Sequence, residues 1–156
     1  MFKWLKKRRR KTILQAPFPS EWQQMITETV RHYSYLNSEE QAQLRELVQI
    51  FIAEKRFEGC GGLEITDEIR IVIAAQACIL VIGLPPFQYH ELESILVYPT
   101  TVVTPPSRQS IFSTEPLIVP DNQAILGQAR LRGPVVLVWD RVKRNALHPE
   151  QGLSLI

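Results

Sequence analysis

The chain has 156 residues, of which 45% are hydrophobic and 22% are charged. This length and composition are typical of one globular domain with a buried core, and they exclude an intrinsically disordered chain. The formal net charge of +2 excludes a strongly acidic or strongly basic protein overall, although the charge is unevenly distributed.

The first segment, residues 1–19, is predicted to be a basic flexible tail and linker. Residues 1–11 contain no acid and seven cations: Lys3, Lys6, Lys7, Arg8, Arg9, Arg10 and Lys11. The rest of the chain has 11 basic and 16 acidic residues, a net charge of −5. We favour a solvated terminus, and the alternative is peripheral contact of residues 1–11 with a membrane, where Phe2, Trp4 and Leu5 supply an apolar edge. Few aromatic residues alternate with these cations, which argues against a nucleic-acid partner.

Three helices are predicted next, over residues 20–33, 38–57 and 66–83. Capping boxes mark the first two, Ser20 with Gln23 and Ser38 with Gln41. In the second helix, apolar residues recur at helical spacing, which predicts a face directed at the core. This apolar stripe comprises Leu44, Leu47, Val48, Phe51 and Ile52. Apolar residues almost surround the third helix, which Thr66 and Asp67 can cap, so we expect it to be central and buried.

The second half of the chain is predicted to form a small sheet, with strands near 94–98 and 135–139. Shorter extended pieces are expected at 101–103, 110–112 and 117–119. Helices followed by strands indicate an α+β fold for residues 20–156. The most apolar run, residues 71–84, is too short to span a bilayer, and no apolar run follows the N-terminal charges as in a signal peptide. We therefore expect a cytoplasmic protein.

No residue pattern points to catalysis. His32, His90 and His148 lack metal-ligand spacing, since Ser94 stands where a His-Glu-x-x-His motif beginning at His90 needs its second histidine. Cys60 lies among glycines, and we interpret Gly59-Cys60-Gly61-Gly62 as a turn; a thiol enzyme that uses Cys60 is a distant alternative. Cys60 and Cys78 are expected to be reduced, with Cys78 buried. The sequence therefore assigns no catalytic and no metal-binding residue, and it leaves the substrate-binding residues unknown.

Several segments, in this order and spacing, carry a family resemblance over about residues 20–156. They are LNSEEQ (36–41), FIAEKRFEG (51–59), GLEITDEIR (62–70), ILVYP (95–99), GQA (127–129) and GPVVLVWD (133–140). The set resembles the N-terminal part of the zinc-dependent peptidase family typified by Mlc titration factor A, the MtfA-like family. The resemblance implies a bacterial, cytosolic metallopeptidase with aminopeptidase-type activity, whose zinc is bound through a His-Glu-x-x-His helix and a later helix.

This chain contains no His-Glu-x-x-His, so no zinc ligand is carried over from the family and no zinc is expected to bind the chain. Because the chain ends where the resemblance places that motif, we expect a truncated or split peptidase, incomplete relative to the family's fold and inactive alone. Its partner would be the missing C-terminal catalytic part or another protein, and a peptide would be its substrate only after completion. Whether the chain is an enzyme is left open.

Two further hypotheses follow. The chain could be a stand-alone protein-interaction or regulatory module that its basic tail tethers to a membrane. Separately, strand 135–139 could be a sheet edge that aligns a peptide substrate by β-augmentation. The second hypothesis fails if this strand is central and paired on both sides.

Overall fold

The secondary structure is taken from a computed structural model that describes residues 2–85, 89–100, 102–103, 124–125, 127–129 and 133–151. The helices are α1 (Phe2–Gln15), α2 (Ser20–Thr29), α3 (Ser38–Glu54), α4 (Asp67–Ile79) and α5 (Trp139–Leu147). The strands are β1 (Arg56–Gly59), β2 (Ser94–Tyr98), β3 (Val102–Val103), β4 (Ala124–Ile125), β5 (Gly127–Ala129) and β6 (Val135–Val138). The predicted α+β class is confirmed.

The main sheet has the strand order β1-β2-β6-β5. Its first three strands are parallel, and β5 is antiparallel to β6; β3 and β4 form a separate antiparallel pair. The strand predicted at 94–98 is confirmed, and the one predicted at 135–139 ends one residue early because Trp139 begins α5. The piece predicted at 101–103 is described only at 102–103, and those at 110–112 and 117–119 lie outside the described residues.

Helix α4 is the centre of the core, as predicted. It packs against α2, α3 and α5, and its buried residues are Ile69, Ile71, Val72, Ile73, Ala74, Ala75, Ala77 and Cys78. Thr66 caps it, since its Oγ1 accepts a hydrogen bond from the Ile69 amide at 3.3 Å. The helix ends at Ile79 rather than near 83, because tighter turn bonds follow, such as that from the Val81 amide to the Cys78 carbonyl. Neither α4 nor any other helix in the described ranges is long and apolar enough to cross a membrane.

The cap predicted for α3 is wrong by one residue. Asn37, not Ser38, is the N-cap: its Oδ1 accepts from the Glu40 amide, and a Glu40 carboxylate oxygen accepts from the Asn37 amide, both at 2.9 Å. The Gln41 side chain instead donates to the carbonyls of Tyr33 and Leu36. A capping box therefore exists in a different register from the predicted one. The helix stops at Glu54 rather than 57, because residues 56–59 pair as β1.

The cap predicted for α2 is also wrong. Pro19 occupies the N-cap position, and no side chain caps the helix. Gln23, which was expected to complete the box with Ser20, donates its amide to the Tyr33 hydroxyl at 2.8 Å. The helix ends at Thr29, and Arg31–Tyr35 forms a separate 3-10 helix within the range predicted as one helix.

The basic N-terminal segment is helical, which the sequence analysis did not predict. Arg10 is 8% exposed, and its guanidinium donates twice to the Glu54 carboxylate of α3, with both N–O distances at 2.6 Å. Burial raises the pKa of Glu54, but the hydrogen bond and charge of Arg10, helped by Lys55 and Lys6, outweigh burial and leave that pKa below its ordinary value. α1 is thus attached to the body of the fold. The boundary proposed between residues 19 and 20 stays a prediction.

The capping assignment gives the first testable prediction. Asn37→Ala removes the side-chain acceptor for the Glu40 amide, so we expect a loss of about 1 kcal/mol in the free energy of unfolding, measured by urea denaturation. Ser38→Ala is the matched control and should change stability by less than about half of that, since serine is no better than alanine inside a helix. The opposite ranking of the two variants would contradict the Asn37 cap.

Candidate functional site

The three parallel strands of the main sheet end at one edge. Their register places Gly59 beside Val97 and Val97 beside Leu137, so the residues that follow each strand meet there. In open sheets with parallel strands, ligands bind at this carboxyl edge. We call residues 60–62, 98–99 and 139–140 the strand-end site.

Backbone contacts hold the strand-end site together. The Cys60 amide donates to the Val97 carbonyl at 2.8 Å, and the Asp140 amide donates to the Pro99 carbonyl at 3.3 Å. Glycine allows the close approach of the first loop: a Cβ on Gly59 would lie 1.9 Å from the Leu63 carbonyl oxygen. Gly61 has φ +63°, a left-handed conformation that other residues rarely adopt. The loop is therefore a tight turn, as the sequence analysis interpreted it.

The half-buried thiol of Cys60 is not activated in this turn. Burial and the nearby Glu58 carboxylate raise its pKa above the ordinary value of 9.0, and hydrogen bonds from the Tyr98 side chain and the Val97 backbone lower it only in part. A nucleophilic cysteine needs the opposite shift, toward the thiolate at neutral pH. The geometry thus gives no support to a thiol enzyme. Tyr98 was missed as a neighbour of Cys60, because only the parallel pairing of β1 with β2 brings the two together.

Asp140 is the residue of the strand-end site whose hydrogen bonding is least complete. It lies in the first turn of α5, where the helix dipole favours a carboxylate. Its Oδ1 is buried, and within the described ranges that oxygen has no hydrogen-bond partner. A buried acceptor without a donor costs roughly 1–3 kcal/mol. Sequence reasoning did not single out Asp140, although an acid directly after a buried strand is the signal that could have identified it.

The histidines lie on separate elements. His32 is in the 3-10 helix, with its ring centroid 6.1 Å from that of Tyr35. His90 is in a turn, with its Nε2 3.9 Å from a Glu91 carboxylate oxygen. His148 follows α5, and its Nδ1 is 3.3 Å from a Glu150 carboxylate oxygen. None of the three is part of the strand-end site.

A metal site needs several ligating side chains close together. Among the residues that the structure describes, no three His, Cys, Asp or Glu side chains are arranged to hold an ion. The described histidines and carboxylates therefore do not form a ligand set that fits the zinc implied by the family resemblance. No chemical step through a metal can be assigned to these residues.

A second polar cluster lies between α1, α3, α4 and the turn at residues 89–92. Lys55 Nζ donates to the carbonyls of Tyr89 and Leu92, and the Tyr89 hydroxyl donates to the Ala77 carbonyl at 2.8 Å. Burial lowers the pKa of Lys55, and the charge of Glu54 opposes this only in part. The adjoining cavity, lined in part by Cys78, has a volume of 30 Å³, which is room for about two water molecules. The cluster anchors the turn and is too small to bind a peptide.

A larger cleft of 370 Å³ lies at the opposite, amino edge of the sheet. Its lining among the described residues comprises Glu91, Glu93, Ser94, Gly133 and Pro134. This volume is within the range of small-molecule sites, but such sites are mostly apolar with a few placed polar groups. The described part of the lining, which has two carboxylates and a serine, is mainly polar, so the strand-end site is the better candidate.

Strand β6 is not the substrate-aligning edge that was hypothesised for residues 135–139. It pairs with β2 on one side and with β5 on the other. Its backbone groups are therefore used within the sheet and cannot add a peptide strand. The hypothesis is therefore wrong, because β6 is a central strand. Its antiparallel pairing with β5 could not be recognised from the sequence of β6 alone.

Comparison with known proteins connects this fold to a family. A sequence model described as "Glucose-regulated metallo-peptidase M90" matches residues 3–156. The chain is 32% identical over 150 residues to "Uncharacterized protein slr2042" of Synechocystis sp., covering 95% of this chain and 53% of that protein. It is 28% identical over 120 residues to "Mlc titration factor A" of Klebsiella pneumoniae, covering 76% of this chain and 43% of that protein. The chain thus spans about half the length of these curated relatives.

The state of the two thiols gives the second testable prediction. Because the pKa of Cys60 lies above 9.0, its thiolate fraction at pH 7 is below that of an ordinary cysteine, and its alkylation by iodoacetamide should be slower than that of a cysteine peptide. Burial raises the pKa of Cys78 to about 12, so this thiol should be labelled only in denaturant.

Mass spectrometry of the labelled chain measures both rates, and Cys60→Ser and Cys78→Ser identify each thiol. The rate at Cys60 should rise with pH through a midpoint above 9.0. Labelling of Cys60 at pH 7 that is faster than the peptide would contradict this account and would reinstate an activated thiol.

Proposed function

The chain belongs to the Glucose-regulated metallo-peptidase M90 family, and from this premise we propose that residues 1–156 form the scaffold part of a zinc-dependent peptidase. The observation that carries the proposal is the extent of the family match, from residue 3 to residue 156. This range includes α2 to α5, all described strands and nearly all of α1. The matched unit is therefore the helices and the sheet together rather than one short motif.

The zinc ligands and the general base are proposed to come from polypeptide other than residues 1–156, either in the same gene product or in a second chain. A zinc peptidase of the His-Glu-x-x-His type needs two histidines one helical turn apart and the glutamate beside the first. The sequence has three histidines, and no two of them have this spacing. On this proposal the chain alone is inactive and binds no zinc.

We further propose that the catalytic part packs on the strand-end site. Two features support this position. The carboxyl ends of β1, β2 and β6 converge there, and a donor from an incoming segment would satisfy the buried Oδ1 of Asp140, which within the described residues has no partner. The role of this chain's own residues is then to position the catalytic helix on a rigid sheet.

Peptide hydrolysis of the aminopeptidase type, with cytoplasmic location, is proposed for the assembled protein. The alternative is a stand-alone interaction module, which would bind a protein partner and need no catalytic part. One observation favours this alternative, namely the row of exposed basic residues on α1. The two functions predict different results when a catalytic part is added to this chain. A scaffold should then give peptide hydrolysis, whereas an interaction module should not.

The third prediction tests this difference. The purified 156-residue chain is assayed alone, and then fused to the part of the Synechocystis relative that lies outside the matched region. Amino-acid p-nitroanilides serve as substrates, and zinc content is measured by elemental analysis. We expect the chain alone to give no hydrolysis above the blank and to carry well under one zinc per chain, whereas the fusion should hydrolyse substrate and lose this activity with 1,10-phenanthroline.

The controls test whether activity depends on packing of the relative's segment against this chain. The relative's segment without this chain should be inactive, because it lacks the sheet on which to pack. A fusion carrying Asp140→Ala should retain its fold by circular dichroism and lose a large part of its activity. Glu91→Ala, at an exposed acid beside the opposite, amino edge of the sheet, should not lose activity. Chelator-sensitive hydrolysis by the unfused chain would contradict the proposal.

A further inference from the structure

The orientation of α1 is fixed by its single buried cation. The bidentate contact of Arg10 with Glu54, and the hydrogen bond from Gln49 to the Ala16 carbonyl at 3.1 Å, hold one side of the helix and its end against α3. Ile13 and Leu14 are half-buried next to that contact. The opposite side of the helix consequently faces away from α3.

Helical geometry shows which residues lie on the opposite side. An α-helix advances about 100° per residue, so Trp4, Leu5 and Arg8 lie roughly 120°, 140° and 160° from Arg10. Arg9 and Lys11, each about 100° from Arg10, flank them. We call Trp4, Leu5, Arg8, Arg9 and Lys11 the outer face of α1.

The outer face combines apolar and basic side chains, all of them exposed. Trp4 is 62% exposed and Leu5 is 49% exposed, which is unusual for large apolar side chains beside one another. The Arg8 guanidinium lies 5.6 Å from the centre of the Trp4 ring, a cation–π distance. Apolar and cationic groups are therefore available on one surface.

Charge determines which partner suits this surface. Six of the seven basic residues within residues 1–11 are exposed, and the segment contains no acid. Residues 12–156 have a net charge of −5, so an anionic surface would attract α1 and repel the remainder of the chain. Such an asymmetry orients the protein with the outer face toward the anion.

We propose that the outer face of α1 binds the surface of a bilayer that contains anionic lipids. The basic side chains contact lipid phosphates, and Trp4 and Leu5 enter the headgroup region, where an aromatic ring and an apolar side chain are both favoured. A nucleic acid is also a polyanion, but binding to its backbone uses the cations alone and leaves Leu5 in water. Because α1 is attached to α3 through Arg10, binding of the helix brings the whole domain to the membrane.

The experiment uses the full chain and sedimentation with vesicles of phosphatidylcholine alone or of equal parts phosphatidylcholine and phosphatidylglycerol. We expect binding to the mixed vesicles at low salt, none to phosphatidylcholine alone, and loss of binding at high salt. Tryptophan fluorescence should shift to shorter wavelength on binding. The shift should be absent in Trp4→Phe, which identifies Trp4 rather than Trp22 or Trp139 as the inserted ring.

Two pairs of matched variants test the two components of the outer face. Arg8→Glu/Arg9→Glu should weaken binding at least about tenfold, while Arg31→Glu/Arg144→Glu, which changes exposed cations elsewhere by the same charge, should leave it within about twofold. Trp4→Ser/Leu5→Ser should weaken binding at least about tenfold, and Leu80→Ser/Leu84→Ser, at two other exposed leucines, should not. Arg8→Lys/Arg9→Lys should retain binding.

Several outcomes would overturn the proposal. These are equal binding to both vesicle types, no binding to mixed vesicles at low salt, or equal losses in the test and control variants. Tighter binding to a fluorescent duplex oligonucleotide, unaffected by Trp4→Ser/Leu5→Ser, would assign the outer face to nucleic acid instead. A dimer that dissociates in Trp4→Ser/Leu5→Ser would assign it to a second copy. Circular dichroism confirms that each variant is folded, and none of these results depends on peptidase activity.

Discussion

The burial of α4 on all sides is the constraint on which the rest of the structure depends. Residues 71–75 of this helix are consecutive and almost wholly inaccessible, so no face can be left to water. Each fully buried valine or isoleucine contributes roughly 1.5–3 kcal/mol relative to exposure. α2, α3 and α5 cover the helix, and core residues of β2 and β6 join the same cluster. α4 also connects β1 to β2, and a helix between two parallel strands makes both end at the same edge.

The strand-end site is a consequence of this connection. Cys60, Tyr98 and Asp140 are distant in sequence, yet the parallel strands that precede them bring them to one edge of the sheet. These residues have structural rather than catalytic features. Cys60 is a protonated thiol in a turn, and Asp140 lies at the start of a helix. Family membership supplies the peptidase context, while the histidine spacing of this sequence supplies no zinc site. A scaffold that positions a catalytic helix accounts for both observations.

Sequence patterns predicted the elements whose signals are local. The stripe of α3 and the continuous apolar content of α4 specify helices, and β2 has a run of β-branched and aromatic residues between turn signals. β1 was missed, because four residues after a helix resemble a helix end until β2 pairs with them. The N-cap is Asn37 rather than the predicted Ser38. Both residue types cap helices well, and the hydrogen bond that Glu40 accepts from the Asn37 amide selects Asn37. The packing of α1 depends on Glu54, an acid 44 positions from Arg10. The strand-end site depends on the pairing of three strands. Local sequence patterns encode neither contact.

The most direct test of the scaffold account is hydrogen exchange of residues 1–156, measured alone and fused to the unmatched part of the Synechocystis relative. The account predicts that the amides of residues 60–62, of Tyr98 and Thr100, and of residues 139–147 gain protection in the fusion, while α1 is unchanged. Protection gained at α1 alone, or no gain at the strand-end site, would contradict the claim that this edge of the sheet receives the catalytic part.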